Sequence, residues 1–470
     1  MIKLIKNELT KIFHKKSIYI MLIIMFASTV SGIFLSFVLN DELINSIENY
    51  SYDYSLKYLE EDLKNYDLSK KDERETYIIS KTEYLAIKDR IKFKERYKKD
   101  YVDEYAYDYI QCEVENEVNG NKEEEEECRR KHNEIIQEIE NNDWKFFVEK
   151  DIKELDNKIK EIEDLSQDEL LDNYKTQRKA LEYQLKYNIS PNDSKMTIIN
   201  QYMSSKNSLK SYENRERILS DEEKEGYKTV KANYRISEYK LENNLLYNEY
   251  GTLMSLDSLF KGAGFFVIIT MTLIAGSIVS DEFNKGTIKQ LLIRPHTRSK
   301  ILLSKLITVF IVFIIVLLFH YILNILSSVI TGDAKEIFMP IIRYNFNTDT
   351  VYEQNVLLSM VFGTLKILPC YLIVIIFSFL ASTVTKNDAL GILAGIGLYF
   401  GGNILNLFLS IRKLWINDYV PTLCWDLNSY LSYGESLSNI ILPLVVDLLT
   451  IGIMITISFI VFKKIDIKNQ

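Results

Sequence analysis

The chain has 470 residues and a formal charge of −8, with 47% hydrophobic and 26% charged residues, six prolines and four cysteines. Four cysteines are too few for a disulfide-built scaffold. No GxxxxGK[ST], HExxH, CxxC or GxSxG pattern occurs, so the chain has no phosphate-binding loop, metal-ligand set or nucleophile constellation from which to argue an enzyme.

Residues 1–16 read as an amphipathic helix, with Ile2, Ile5, Leu9 and Ile12 on one face and lysines around the other. That pattern suits a helix lying in the membrane interface, an elbow ahead of the first span. The apolar run Ser17–Leu39 follows. It is longer than a typical signal-peptide core and lacks a small-x-small cleavage pattern, so residues 17–39 are expected to remain as a first transmembrane helix.

Residues 40–261 differ from everything around them. They are rich in Glu, Lys, Asp, Asn and Tyr and carry a charge of about −15, against about +7 for the rest. Glycine and proline are scarce, and Val148, Ile152, Leu155, Ile159 and Ile162 recur at coiled-coil spacing. Asn119-Gly120-Asn121 and Asn188–Asp193 are turn signals between long helical stretches. A stalk or bundle of antiparallel helices is expected. Cys112 and Cys128 lie about eight residues either side of Gly120, so a hairpin folding at that tip brings them to one height and makes them a candidate disulfide. The run Glu123–Glu127 reads as a solvated helix face, since calcium loops need spaced ligands. The tyrosines between Tyr50 and Tyr109 read as core and rim of narrow bundles.

Five further apolar runs follow: Gly262–Ser280, Leu306–Gly332, Ile367–Thr385, Ala389–Ile411 and Ser436–Phe462, the last interrupted only by Asp447. Runs of about 19–27 residues are long enough to cross a hydrocarbon core. The expected organisation is therefore transmembrane helices at 17–39, 262–280, 306–332, 367–385, 389–411 and 436–462. Loops at 333–366 and 412–435, a polar segment at 281–305 and a tail at 463–470 complete it. Lysines and arginines before the first span, between the second and third, and after the sixth fall on one side. The positive-inside rule makes that side the cytoplasm, so both termini are cytoplasmic and residues 40–261 are extracellular, in a multi-pass cell-membrane protein.

Within 281–305, Gly286-Thr287 can end the second span and cap a short helix through the threonine hydroxyl. Ile288, Leu291 and Leu292 then form an apolar face, Pro295 stops the helix, and Thr297 starts the next. Such a face, with Arg294 and Arg298 beside it, suits docking into a groove on another protein. Farther on, Gly391, Gly395, Gly397 and Gly401 give two GxxxG spacings suited to close helix packing. His320 and Asp447 fall near mid-membrane depth, where an ionisable group faces protein or water. Cys370 reads as a small core hydrophobe.

The pattern Glu282-x-x-x-Gly286-Thr287-Ile288-x-x-Leu291-Leu292, followed by Pro295 and Arg298, resembles the coupling helix of permease subunits of ABC type-2 transporters. The layout at Met1–Leu39 and Gly262–Lys468 is similar to that family's elbow helix and six spans. A large insertion after the first span, with Leu181–Ile189, resembles the branch that includes bacitracin, lantibiotic and sodium efflux permeases. The resemblance implies an all-α membrane fold and a non-enzymatic exporter subunit. ATP and magnesium would be bound by separate ABC ATPase subunits, with no cofactor or metal in this chain. It implies a second permease subunit, as homo- or heterodimer, with the fifth-span glycines at the seam or in packing, and no nucleic-acid partner. Antimicrobial-peptide or antibiotic removal fits that branch. The alternative is a membrane scaffold, cell-surface receptor or secretion accessory protein that needs no ATPase.

Overall fold

The computed structural model describes residues 1–38, 41–163, 168–213, 220–247, 252–253, 256, 264–288, 296–412, 417, 419–427 and 440–464. In chain order the helices are α1 (Ile2–Phe13), α2 (Lys16–Val38), α3 (Asp41–Asp62), α4 (Lys71–Arg90) and α5 (Arg96–Tyr101). A π turn, Val102–Ala106, leads into α6 (Tyr107–Asn119), then α7 (Lys122–Asn141), α8 (Trp144–Glu163), α9 (Asp168–Lys186), α10 (Met196–Glu213) and α11 (Asp221–Glu242). After these come α12 (Phe265–Ser277), α13 (Ser280–Asn284), α14 (Arg298–Thr331), α15 (Val356–Thr385), α16 (Asp388–Arg412), α17 (Pro421–Cys424) and α18 (Ile441–Lys464). Between α14 and α15, β1 (Ile341–Asn345) and β2 (Thr350–Gln354) pair antiparallel, with Arg343 opposite Tyr352.

Among the described residues five helices are long and apolar enough to cross a membrane: α2 over Lys16–Leu35, α14, α15, α16 over Asp388–Leu409, and α18. The chain is thus a predominantly helical membrane protein. The run expected to give the second span appears as the shorter apolar α12, of 13 residues, which rises about 20 Å and by itself falls short of a ~30 Å core. Two helices begin earlier than their uncharged runs. Thr297 caps α14, its hydroxyl accepting from Lys300 N, and Asn355 caps α15 by accepting from Leu357 N and Leu358 N. The stretch expected to be a loop at 333–366 therefore holds a hairpin and the first turns of α15. Lys366 breaks the apolar run there but not the helix, because a backbone ladder needs no uncharged sequence.

The fold divides into two compact units. The first comprises Met1–Phe34, Leu219–Lys240 and Tyr247–Gln470. At its centre lies α15, flanked by α12, α16 and α18, with Tyr371, Val374, Ile375, Ile376 and Phe379 fully enclosed. Where α12 meets α16, a Cβ on Gly276 would stand 2.6 Å from Ile392 N and 2.7 Å from Gly391 C. Only glycine permits that backbone approach. Ser378 Oγ donates to Gly391 O at 2.8 Å and lies 3.2 Å from Thr272 O, a polar stitch between α12, α15 and α16.

The second unit comprises Leu35–Ile218 and Leu241–Leu246. Gly120, with φ +78°, turns α6 back along α7, in the left-handed conformation that favours glycine. A disulfide joins Cys112 to Cys128 across this hairpin, with Cα atoms 5.9 Å apart. Val102, Ala106, Ile110, Ile139, Phe147 and Val148 are buried in its core, and Tyr101 and Tyr105 both contact the Phe147 ring. Val148, Leu155 and Ile159 form the buried line of α8. Tyr50, Tyr54 and Tyr58 are exposed. His132 is enclosed between Asp89 on α4, 2.7 Å from Nε2, and Glu113 on α6, 3.3 Å from Nδ1.

Candidate functional site

A buried charged junction in the first unit lies where α1, α13 and the start of α14 meet. On α1 the buried line is Leu4, Glu8, Ile12. Of the expected apolar face Ile12 is buried, Ile5 and Leu9 are half-buried and Ile2 is exposed. The helix is rotated to turn Glu8 inward, because a cation waits for it there. That cation is Lys305, 1% exposed, whose Nζ lies 2.6 Å from Glu8 Oε2 and 3.1 Å from Glu282 Oε1 and donates to Ile278 O at 3.0 Å. From the other side Lys11 Nζ approaches Glu282 Oε1 at 2.6 Å and Glu8 Oε1 at 3.0 Å. Two carboxylates thus alternate with two ammonium groups.

Glu282 completes its shell with the Thr287 hydroxyl, which donates to Oε2. Burial alone pushes the Glu282 carboxyl up, but the charge of Lys305 and the hydrogen bonds from Lys11 and Thr287 outweigh it and hold the group at about 2. Burial pulls Lys11 down, and the Glu282 hydrogen bond and Glu8 charge raise it above its ordinary value. Both therefore stay charged. Beside them Lys15 Nζ bonds Asp281 at 2.5 Å and Ser277 Oγ at 2.8 Å. An open cleft of about 390 Å³ borders the junction, with His14 and Lys285 at its margin.

The Thr287 hydroxyl donates to Glu282, and the short helix it was expected to cap lies outside the described residues. Gly286, with φ +68°, turns the chain after α13. Ile288 is 3% exposed and belongs to the unit's own core, which corrects its expected place on a docking face. Leu291, Leu292, Arg294 and Pro295 lie outside the described residues. Arg298 donates to Lys463 O at 2.9 Å, tying the start of α14 to the end of α18.

The remaining expected residues are dispersed. Gly391 and Gly395 face α12 and α15 of the same chain, whereas a Cβ at Gly397 or Gly401 would meet nothing within 4 Å. His320 hydrogen-bonds Asn324 at 3.0 Å and lies beside Gly264, while Asp447 is buried in the second turn of α18, with no hydrogen-bond partner for either oxygen among the described residues. Cys370 and Cys424 are buried and not joined in a disulfide. Among the described residues no cluster of three or more His, Cys, Asp or Glu side chains is set to hold a metal ion. Sequence reasoning missed Glu8, Lys11 and Lys305. The available signal was Lys305 itself, a single lysine inside Ile-Leu-Leu-Ser-Lys-Leu-Ile-Thr, which needs an acid once its helix is buried.

The family described as "Protein of unknown function (DUF2705)" matches residues 226–468, which include Glu282 and Lys305 but not α1. The "Uncharacterized protein YhcI" of Bacillus subtilis (strain 168) is 30% identical over 250 residues, 52% of this chain and 78% of that protein. The "Uncharacterized membrane protein YdbK" of the same organism is 30% identical over 191 residues, 39% of this chain and 67% of that protein. No solved structure matches the chain.

Proposed function

The chain belongs to the DUF2705 family of proteins of unknown function, and we propose that it is the transmembrane permease subunit of an ATP-driven exporter of the ABC type-2 kind. In this reading α12 completes a set of six spans, both termini are cytoplasmic and residues 40–261 are extracellular. Separate ATPase subunits bind ATP and magnesium and dock on the segment around Leu291-Leu292, and a second permease subunit completes the assembly. The chain itself performs no covalent chemistry. Removal of a membrane-active peptide or antibiotic is the cargo reading that suits the large segment after the first span.

The observation that carries this reading is Glu282. Through Lys11 and Lys305 it ties α1 and α14 to the turn that follows α12. A push on the segment just beyond that turn would reach two helices at once. Glu8, Glu282 and Lys305 are buried and Lys11 closes the set from its exposed edge, and such an interlocked group of charges suits a part that transmits force between helices.

The test is affinity purification of the full chain from its native membrane. An ABC ATPase should accompany it, and the double variant Leu291→Asp/Leu292→Asp should lose that ATPase while remaining in the membrane, since charge would be forced into an apolar contact. A chain that carries no ATPase at all would favour the scaffold or receptor alternative, and a double variant that keeps the ATPase would remove Leu291 and Leu292 from its docking.

A further inference from the structure

In α18 the residues turned inward are Pro443, Asp447, Met454, Ser458 and Phe462, while neighbours such as Leu448 and Leu449 are exposed. Asp447 is 1% exposed, and neither of its carboxylate oxygens has a hydrogen-bond partner. It is not an isolated omission. At the same end of the bundle Thr422 Oγ1 and Asn406 Oδ1 are also buried without partners, although Asn406 Nδ2 donates to Thr422 O at 2.5 Å.

The segment 421–427 forms a plug packed against α15, α16 and α18. A Cβ on Gly402 of α16 would stand 2.6 Å from Trp425 Cη2 and 2.9 Å from Thr422 Cγ2. Leu427 N donates to Lys366 O on α15 at 3.1 Å, and Cys424, Trp425 and Leu427 are buried. Beneath it, α18 packs on α14, α15 and α17. The titratable groups on these elements toward this end are His320 and Tyr321 on α14, Lys366, Cys370 and Tyr371 on α15, and Cys424 and Asp426 in the plug. None of them donates to Asp447.

A bare carboxylate charge in such surroundings costs far more than the fold can carry, and intramembrane acids are retained where they meet a counter-charge. The groups left unsatisfied at this end are oxygens, and among them the charged one is the carboxylate of Asp447. We propose that Asp447 is an exchangeable binding site for one monovalent cation, a proton or Na⁺, enclosed under the 421–427 plug. One negative charge balances one such cation, and hard oxygen atoms are the ligands that sodium takes. The exporter reading is not needed for this, and the readout below involves no ATPase.

Dicyclohexylcarbodiimide enters membranes and modifies carboxyl groups only when they are protonated in apolar surroundings. The full chain in lipid nanodiscs is treated with it, and adducts are located by mass spectrometry. Asp447 should be labelled at acid pH, the rate falling about tenfold per pH unit once the group ionises. Protection by NaCl relative to choline chloride at fixed pH identifies Na⁺ as the occupant, and sensitivity to pH alone identifies the proton. Asp447→Asn should remove that adduct. Absence of an Asp447 adduct at acid pH, or labelling indifferent to both pH and Na⁺, would overturn the proposal.

Discussion

Lys305 Nζ lies 2.6 Å from Glu8 Oε2 although 297 positions separate them in the chain, and both side chains are almost wholly removed from solvent. The contact fixes α1 against α14, and Glu282 extends it to α13. Lys305→Met would leave two buried carboxylates short of a counter-charge. Breaking one partner of a buried pair costs about 3–5 kcal/mol. The expected result is a much lower thermal midpoint for the purified protein, with Glu8→Gln milder because Lys305 and Lys11 would still share Glu282. An unchanged midpoint in Lys305→Met would remove the junction from any structural or force-bearing role. Because the Glu282 carboxyl is held below its ordinary value, its contribution is present above the usual carboxylate range and is lost as pH falls toward about 2.

The disulfide should carry much of the stability of the α6–α7 hairpin. Closing a loop of this size is worth about 3 kcal/mol in the chain-entropy picture. Cys112→Ser/Cys128→Ser should leave the helices formed but make the segment near Gly120 markedly easier to cleave by protease. Cleavage at the wild-type rate, or free thiols at both positions in non-reduced protein, would count against it.

His132 makes the second unit sensitive to alkali. Burial by itself pulls the imidazole down, but the hydrogen bond and charge of Asp89, then those of Glu113, hold it above its ordinary value. Around it Lys92 Nζ also bonds Asp89 and Arg129 bonds Glu113. A raised folded value means the stabilisation is complete below the ordinary histidine range and fades as pH rises through the raised value. Hydrogen exchange in α4, α6 and α7, corrected for its intrinsic pH dependence, should therefore rise from mildly acid to alkaline pH. In His132→Gln the protection should be lower at acid pH and nearly independent of pH. A pH-independent wild type would refute the assignment.

The glycines of α16 should separate into two classes. A Cβ at Gly395 would stand 2.6 Å from Thr272 Cγ2 and 2.9 Å from Ser378 Cβ, so Gly395→Leu should disrupt the subunit itself, by about 1–3 kcal/mol or more from overpacking. Gly401→Leu meets open space and should leave the fold intact. If the second permease subunit seats on that face, cross-linking between protomers should weaken in Gly401→Leu only. Equal damage from both substitutions would contradict the packing described for α16.

What the sequence determined by itself was whatever depends on short-range pattern. Five of the six apolar runs marked helices long and apolar enough to cross a membrane, because lipid selects for uncharged length; Gly120 marked the α6–α7 turn, because a left-handed residue is needed there; the spacing around Gly120 placed Cys112 opposite Cys128. Only the tertiary structure decided where charge is buried. Glu8 reads as the polar side of an amphipathic helix and Lys305 as one more positive flank, and nothing local says that they meet. Their pairing depends on the angle at which α1 crosses α14, which the packing of the whole unit sets. The same holds for Ile288, apolar and therefore equally suited to a partner's groove or to the core, and for Gly391 and Gly395, whose close contact proved to be α12 of their own chain. Pattern fixes which residues prefer to leave water, but the neighbour each one finds depends on how helices distant in sequence are brought together.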